Sequence, residues 1–203
     1  MPSKTATGAF RRSREEREAV ILDTAQDLFY ARGVHEVGMD ELVAATGLGK
    51  ATVYRLYPTK DALVGAYLQR LATTIFAEID AVQERHAGAA APALLEILDA
   101  VEHDIRRPGF RGCAFNNASI EFDDRDHPAR AAARSYRDLL DTRLRGLSVE
   151  LAGRAAGEAL GDQLAVLIDG AYTNAAHLGP DGPAAAGLGL ARELVQSHTG
   201  GRS

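Results

Sequence analysis

Apolar side chains recur along most of this chain at intervals of three and four rather than two, which is the period of helices with one buried face. Val20/Ile21, Thr24/Ala25 and Leu28/Phe29 form such a stripe and predict a helix over 14–32, stopped by Gly33. Two short helices are predicted over 39–46, ending at Gly47, and over 50–57, ending before Pro58 because a residue preceding proline disfavours helical geometry. Thr59 then suits an N-cap, with Asp61 in the first turn. Leu63, Tyr67, Leu71, Ile75, Ile79 and Val82 carry one stripe to about His86, a helix of about 40 Å that could link two domains.

Beyond GAAAP (88–92), helices are expected over 93–106 and 113–122, separated by RPGFRG (107–112). The acidic DDRDHP (123–128) precedes long helices over 129–152 and 155–178, and GPDGP (179–183) marks a turn before a last helix over 184–198. Alanine, leucine, arginine and glutamate are abundant and β-branched runs are short, so the fold class is all-α. Residues 1–12 read as a flexible arm.

Composition narrows the setting. With 203 residues the chain can bury a sizeable core in one domain or two small ones. No apolar run reaches the roughly 20 residues of a membrane span. The basic N-terminus lacks the apolar stretch of a signal peptide, and a single cysteine, Cys113, excludes an intrachain disulfide, so the expected compartment is the cytoplasm. The net charge of −5 argues against a protein that coats nucleic acid, but not against local contact. Residues 1–60 carry nine Lys/Arg against eight Asp/Glu, whereas the remainder carries 14 against 20, so an anion-binding face belongs at the N-terminal end.

The segment MDELVAATGLGKATVYRLY (39–57) supplies that face. A two-turn helix, a glycine-bearing turn and a second short helix make a helix-turn-helix spacing. Leu42, Val43, Leu48, Val53 and Tyr57 fall where the hairpin must bury side chains, and Gly47 where the turn favours positive φ. The remaining face of the second helix shows Lys50, Ala51, Thr52, Tyr54 and Arg55. Arginine reads guanine edges bidentately, and the methyls of alanine and threonine suit the thymine methyl. Tyrosine and lysine suit phosphate, as do the free N–H groups at Thr59–Lys60. The same pattern also describes a helical hairpin with solvated charges.

The residues around it resemble the DNA-binding domain of the TetR (tetracycline repressor) family. The resemblance spans about 14–70 and rests on five pieces: Ala25 to Gly33 (A-x-x-L-F-Y-x-x-G), Leu42–Val43, Ala45–Thr46–Gly47, Lys50 to Tyr54 (K-x-T-V-Y) and Pro58 to Leu63 (P-T-K-D-x-L). GCAFNNASIEF and DHPAR resemble one branch of the family more loosely. The resemblance implies an N-terminal three-helix helix-turn-helix domain (13–60) joined by a long helix to an α-helical ligand-binding and dimerisation domain (61–203). Its implied partners are double-stranded operator DNA, a small, largely apolar effector and a second copy of the chain. It implies a repressor that leaves a near-palindromic operator when the effector binds. Lys50, Ala51, Thr52, Tyr54, Arg55, Thr59 and Lys60 would face DNA. Gly38, Gly49 and Leu56 depart from the family's usual capping and phosphate-contacting side chains. Arg11, Arg12 and Arg14 could lie along DNA as a basic arm or form a solvated tail.

Phe76, His103, Cys113, Phe115, Asn116, Phe122, Tyr136, Asp169 and Tyr172 are the candidate effector-binding residues, apolar wall with a few placed polar groups. The same composition suits an ordinary core. Cys113 is either a redox- or electrophile-responsive thiol or a small hydrophobe. The periodicity of Leu160, Leu164, Leu167 and Ala171, with Leu188, Ala191, Leu194 and Val195, suits intrachain packing and a subunit interface equally, and the family resemblance implies a two-fold four-helix interface there.

Enzyme readings lack support. There is no phosphate-binding glycine loop after a strand and no H-E-x-x-H, and His103–Asp104, Cys113 and Asp126–His127 match no metal-ligand spacing, so neither cofactor nor metal is expected. Two alternatives stay open: a helix-turn-helix activator or architectural DNA binder without ligand, and a small helical enzyme or carrier that uses the C-terminal pocket without an operator.

Overall fold

Ser13 starts the first helix with a reciprocal cap, accepting from the Glu16 N–H at 3.1 Å while its own N–H donates to Glu16 Oε2 at 2.6 Å. The computed structural model describes residues 13–199, so the expected arm, with Arg11 and Arg12, lies outside the described residues. Helix α1 (Arg14–Arg32) buries Ile21, Ala25 and Phe29, the stripe anticipated from its spacing. Helix α2 (Met39–Thr46) and helix α3 (Lys50–Leu56) follow, with Gly47 between them at φ 64°, a left-handed conformation that glycine adopts without a Cβ penalty. Helix α4 (Lys60–Arg85) opens on Thr59, whose hydroxyl accepts from the Ala62 N–H at 3.1 Å.

Helices α5 (Ala90–Ile105), α6 (Ala114–Ser119), α7 (Pro128–Ala152), α8 (Arg154–Leu178) and α9 (Pro183–Ser197) complete the described chain, which contains no strand. The fold class is all-α. Two boundaries differ from the sequence reading by more than one residue. Helix α5 starts before Pro92, because a proline in the first turn lacks only an N–H that would be unpaired there anyway. Helix α6 stops at Ser119 rather than 122, where Glu121 and Phe122 are drawn to other partners described below.

Two apolar clusters share α4. Its first half gives Leu63, Val64, Tyr67 and Leu68 to the cluster of α1–α3, which also takes in Phe115 and Ala118 of α6 and Ala129 and Ala133 of α7. Its second half gives Phe76, Ile79 and Val82 to the cluster built from α5, α7, α8 and α9. The N-terminal three helices are thus tied both to the start of α4 and to α6.

Helices α7 and α8 are separated only by Gly153 and pack closely along their length. Gly157 and Gly161 permit that approach, since a Cβ at Gly157 would lie 2.4 Å from the Val149 Cα. Among the described residues no helix is long and apolar enough to cross a membrane, and no group of three or more His, Cys, Asp or Glu is placed to hold a metal ion.

Candidate nucleic-acid interface and adjoining cavity

The α2–α3 hairpin is held from inside. Leu42 and Val53 are fully buried, and Thr46 fixes the turn by donating to the Val43 carbonyl at 2.8 Å and accepting from the Leu48 N–H at 3.1 Å. Neither Gly38 nor Gly49 supplies a side-chain cap, so α2 and α3 begin without one. Packing Val53 inward leaves Lys50, Ala51 and Arg55 exposed, with Thr52 and Tyr54 half-buried beside them.

The cations on this surface are not equivalent. Lys50 Nζ lies 2.7 Å from Asp40 Oδ1 and 5.6 Å from the Tyr54 ring centre. An exposed pair of this kind is worth about 0–1 kcal/mol, so a phosphate could replace Asp40 at little cost. Lys60 instead donates to the Val34 and Val37 carbonyls at 3.0 and 3.2 Å, tying the α1–α2 connection to α4. That leaves one of its three N–H donors for any other acceptor. Arg55 makes no hydrogen bond or ion pair with the described residues.

A second tie holds the same connection. Glu121, just past α6, accepts from the Val34 N–H at 2.8 Å and the His35 N–H at 2.7 Å, and its carboxylate lies 3.0 Å from His35 Nδ1. Phe122 stacks on His127 with ring centres 3.5 Å apart and also packs against His35. His127 Nδ1 accepts from the Ala129 N–H, so in the neutral ring the proton sits on Nε2, which faces Asp61 Oδ1 at 3.3 Å. Replacing Glu121 with alanine should strand two backbone donors, one of them on the buried Val34, and cost about 1–3 kcal/mol. Urea unfolding of the variant checks this, and an unchanged midpoint and slope would contradict it.

A cavity of about 770 Å³ lies between α1, α4, α5, α6, α7 and α8. Of the sequence-derived candidates, His103, Cys113, Phe115, Tyr136, Asp169 and Tyr172 line it, and Phe76, Asn116 and Phe122 do not. Phe76 is core packing against Tyr136, Asn116 accepts from Arg137 at 3.1 Å, and Phe122 belongs to the His127 stack. Arg137 also pairs with Asp169. Phe115 stacks on Tyr136 with ring centres 3.8 Å apart. Burial pushes the Tyr136 and Tyr172 phenols well above their ordinary range, so both stay protonated donors. Burial also raises the Cys113 thiol, which disfavours the reactive thiolate.

Tyr30, Asp104 and Arg107 also line the cavity, unanticipated from the sequence. Tyr172 donates to Asp104 Oδ2 at 2.8 Å, and Arg107 Nε donates to Asp104 Oδ1 at 2.7 Å. The Arg107 guanidinium stands 4.6 Å over the Tyr30 ring. The Tyr30 hydroxyl donates to the Gly112 carbonyl at 3.0 Å and accepts from the Arg111 N–H at 2.7 Å. This chain of contacts joins α8, α5 and the α5–α6 connection to α1. The i,i+3 spacing of Asp104 and Arg107 was the only local signal; Tyr30 gave none beyond its place in the α1 motif.

Six of the eight residues expected at a four-helix interface face inward instead. Leu160, Leu164, Ala171, Leu188, Ala191 and Val195 are buried inside one chain, because α8 and α9 turn those faces onto α5 and α7 and onto each other. Leu167 and Leu194 remain half-buried. Outward from them, Val166 is 71% and Leu190 47% exposed.

A sequence model of the family described as bacterial regulatory proteins, tetR family, matches residues 21–67. The crystal structure of a TetR-family transcriptional regulator from Streptomyces coelicolor is similar over 91% of this chain and 97% of that one, with 31% identity and a TM-score of 0.83. An HTH-type transcriptional repressor from Mycobacterium tuberculosis is 36% identical over 92 residues, 41% of this chain, and the chain spans only 49% of that relative's length. A second HTH-type transcriptional regulator from Mycobacterium tuberculosis is 29% identical over 163 residues, covering 80% of this chain and 63% of its own length.

Proposed function

The chain belongs to the TetR family of bacterial transcriptional regulators, and we propose that it acts as a homodimeric repressor released from a near-palindromic operator by a small effector. Residues 13–60 form the reading head and 61–203 the effector and dimerisation region, in a protein that works on DNA in the bacterial cytoplasm. Lys50, Ala51, Thr52, Tyr54 and Arg55 of α3 enter the major groove, with Arg55 on base edges and Lys50 and Tyr54 on phosphate. Thr59 and the free donor of Lys60 meet the backbone at the start of α4.

The observation that carries the regulated reading is that α1 of the reading head walls the same cavity as α4, α5, α6, α7 and α8. An effector there touches Tyr30 directly, and α4 runs from the cavity to the hairpin. Occupancy favours one setting of α1 and α4, and the two heads of the dimer lose the spacing that DNA demands. Moving such an equilibrium from 1:99 to 99:1 requires an effector preference of about 10⁴-fold for one state.

The dimer forms through the outward edge of α8 and α9, where exposed Val166 and Leu190 border half-buried Leu167 and Leu194. Helices α8 and α9 pack against each other along their length, so these residues lie on adjoining helices. Val166→Glu combined with Leu190→Glu should give a folded monomer by sedimentation velocity, whose operator affinity falls steeply because each half-site is then bound alone. A variant that remains dimeric would place the interface elsewhere.

Anisotropy titration with DNA from upstream of the chain's own gene tests the DNA-binding role. Binding should exceed that to scrambled DNA, and should weaken by about 10³-fold between 50 and 200 mM salt if six or so phosphates are contacted. Equal affinity for scrambled DNA, or no salt dependence, would overturn it.

A further inference from the structure

The charge of the cavity narrows what can enter it. Four carboxylates line it, on Asp27, Glu78, Asp104 and Asp169, against one guanidinium, on Arg107. Two of the four are compensated inside the protein, since Asp104 pairs with Arg107 and Asp169 with Arg137, which stands behind the wall. The other two, Asp27 on α1 and Glu78 on α4, have no ion-pair or hydrogen-bond partner among the described residues. Asp27 lies one turn beyond Asp23, which pairs with Arg70, while Thr74 and Glu78 lie one and two turns beyond Arg70. Both unpaired carboxylates line the cavity and are exposed, one on α1 and the other on α4.

Behind this rim the wall is apolar and aromatic. Ile75, Ile79, Val101 and Ile168 supply aliphatic surface, and Phe115, Tyr136 and Tyr172 supply rings. Ring faces attract cations, by about 0.5–2 kcal/mol each depending on solvation. A rim with two uncompensated negative charges favours a cation over an anion, the more so as a bound ligand displaces water between them.

We propose that the effector of this cavity is a lipophilic organic cation, its charged group between Asp27 and Glu78 and its apolar body against the rings within. This rests on the reading of the cavity as the effector site. It also gives α1 a direct part in sensing: a cation that draws Asp27 toward Glu78 pulls the reading head's first helix against α4. A fatty acid, an acyl phosphate or another amphiphilic anion is disfavoured by the same charges.

Tetraphenylphosphonium and tetraphenylborate, alike in shape and opposite in charge, separate the alternatives. Calorimetric titration of the full chain should show the phosphonium binding at least about tenfold more tightly than the borate, the equivalent of about 1.4 kcal/mol. Asp27→Asn combined with Glu78→Gln, two exposed and unpartnered positions that the fold does not need, should remove most of that preference. Equal or tighter binding of the borate, no binding of the phosphonium, or phosphonium binding unaffected by the double substitution would each overturn the assignment. Operator titration of the same unliganded preparation keeps the two ideas apart. Specific DNA binding without phosphonium binding rejects the ligand class alone, whereas loss of specific DNA binding rejects the regulator reading beneath it.

Discussion

Replacing Arg55 with alanine should abolish sequence-specific operator binding while leaving the fold intact. Arg55 is exposed on α3 and makes no hydrogen bond or ion pair with the described residues, so its removal should shift stability by no more than about 0.5 kcal/mol. Its guanidinium can grip a guanine edge with two parallel hydrogen bonds, a contact worth about 1–3 kcal/mol. In the proposed dimer two copies would contribute, so the expected loss is about 2–6 kcal/mol, or roughly 30-fold to 10⁴-fold in affinity. Lys50→Ala should behave differently, weakening all DNA about equally and reducing the salt slope by about one phosphate. An Arg55→Ala protein that still protects the same site would remove α3 from the role given to it.

The largest stability effect is expected where α7 turns into α8. Gly157→Ala would place a methyl 2.4 Å from the Val149 Cα and 2.5 Å from the Ser148 carbonyl oxygen, both backbone atoms that cannot step aside. Gly161→Ala meets the Arg145 Cα at 2.8 Å one turn later. Alanine raises helix propensity by about 1 kcal/mol over glycine, which would make either change stabilising on an isolated helix. Overpacking typically costs about 1–3 kcal/mol, and more where backbone must move, so the clash decides the sign. Gly157→Ala should therefore lose about 2 kcal/mol or more in urea unfolding, and the double variant more still. A stabilised Gly157→Ala would contradict the close approach of α7 and α8.

The helices were legible because their signals are local. The 21/25/29 stripe, the glycine at position 47 and the Thr59 cap each specify a backbone state without reference to the rest of the chain. Pro92 misled the boundary of α5, since proline blocks a helix only beyond its first turn. The two carbonyl partners of Lys60 could not be foreseen: a cation at a helix start suits phosphate, but here the Val34 and Val37 carbonyls of the α1–α2 connection lie within its reach. The leucine and alanine stripe of α8 and α9 shows the limit of periodicity. It identifies a buried face and is silent on whether the covering surface belongs to the same chain, and the same chain covers it.

The cavity was half legible for a related reason. His103, Cys113, Phe115, Tyr136, Asp169 and Tyr172 stood out as polar or aromatic groups on otherwise apolar helices. Tyr30, Asp27 and Glu78 did not, because each looks like an ordinary helix-surface residue until α1 is laid against α4 and α5. The rim charges come from helices on opposite sides of the α2–α3 hairpin in sequence, and only the tertiary fold sums them.

Footprinting the chain on DNA upstream of its own gene tests the central claim most directly. Two protected half-sites of related sequence are expected, with centres about 34 Å or a multiple of a helical turn apart, and with protection lost in Arg55→Ala. A single unsymmetrical site, or protection that survives Arg55→Ala, would contradict an account in which paired α3 helices read the operator.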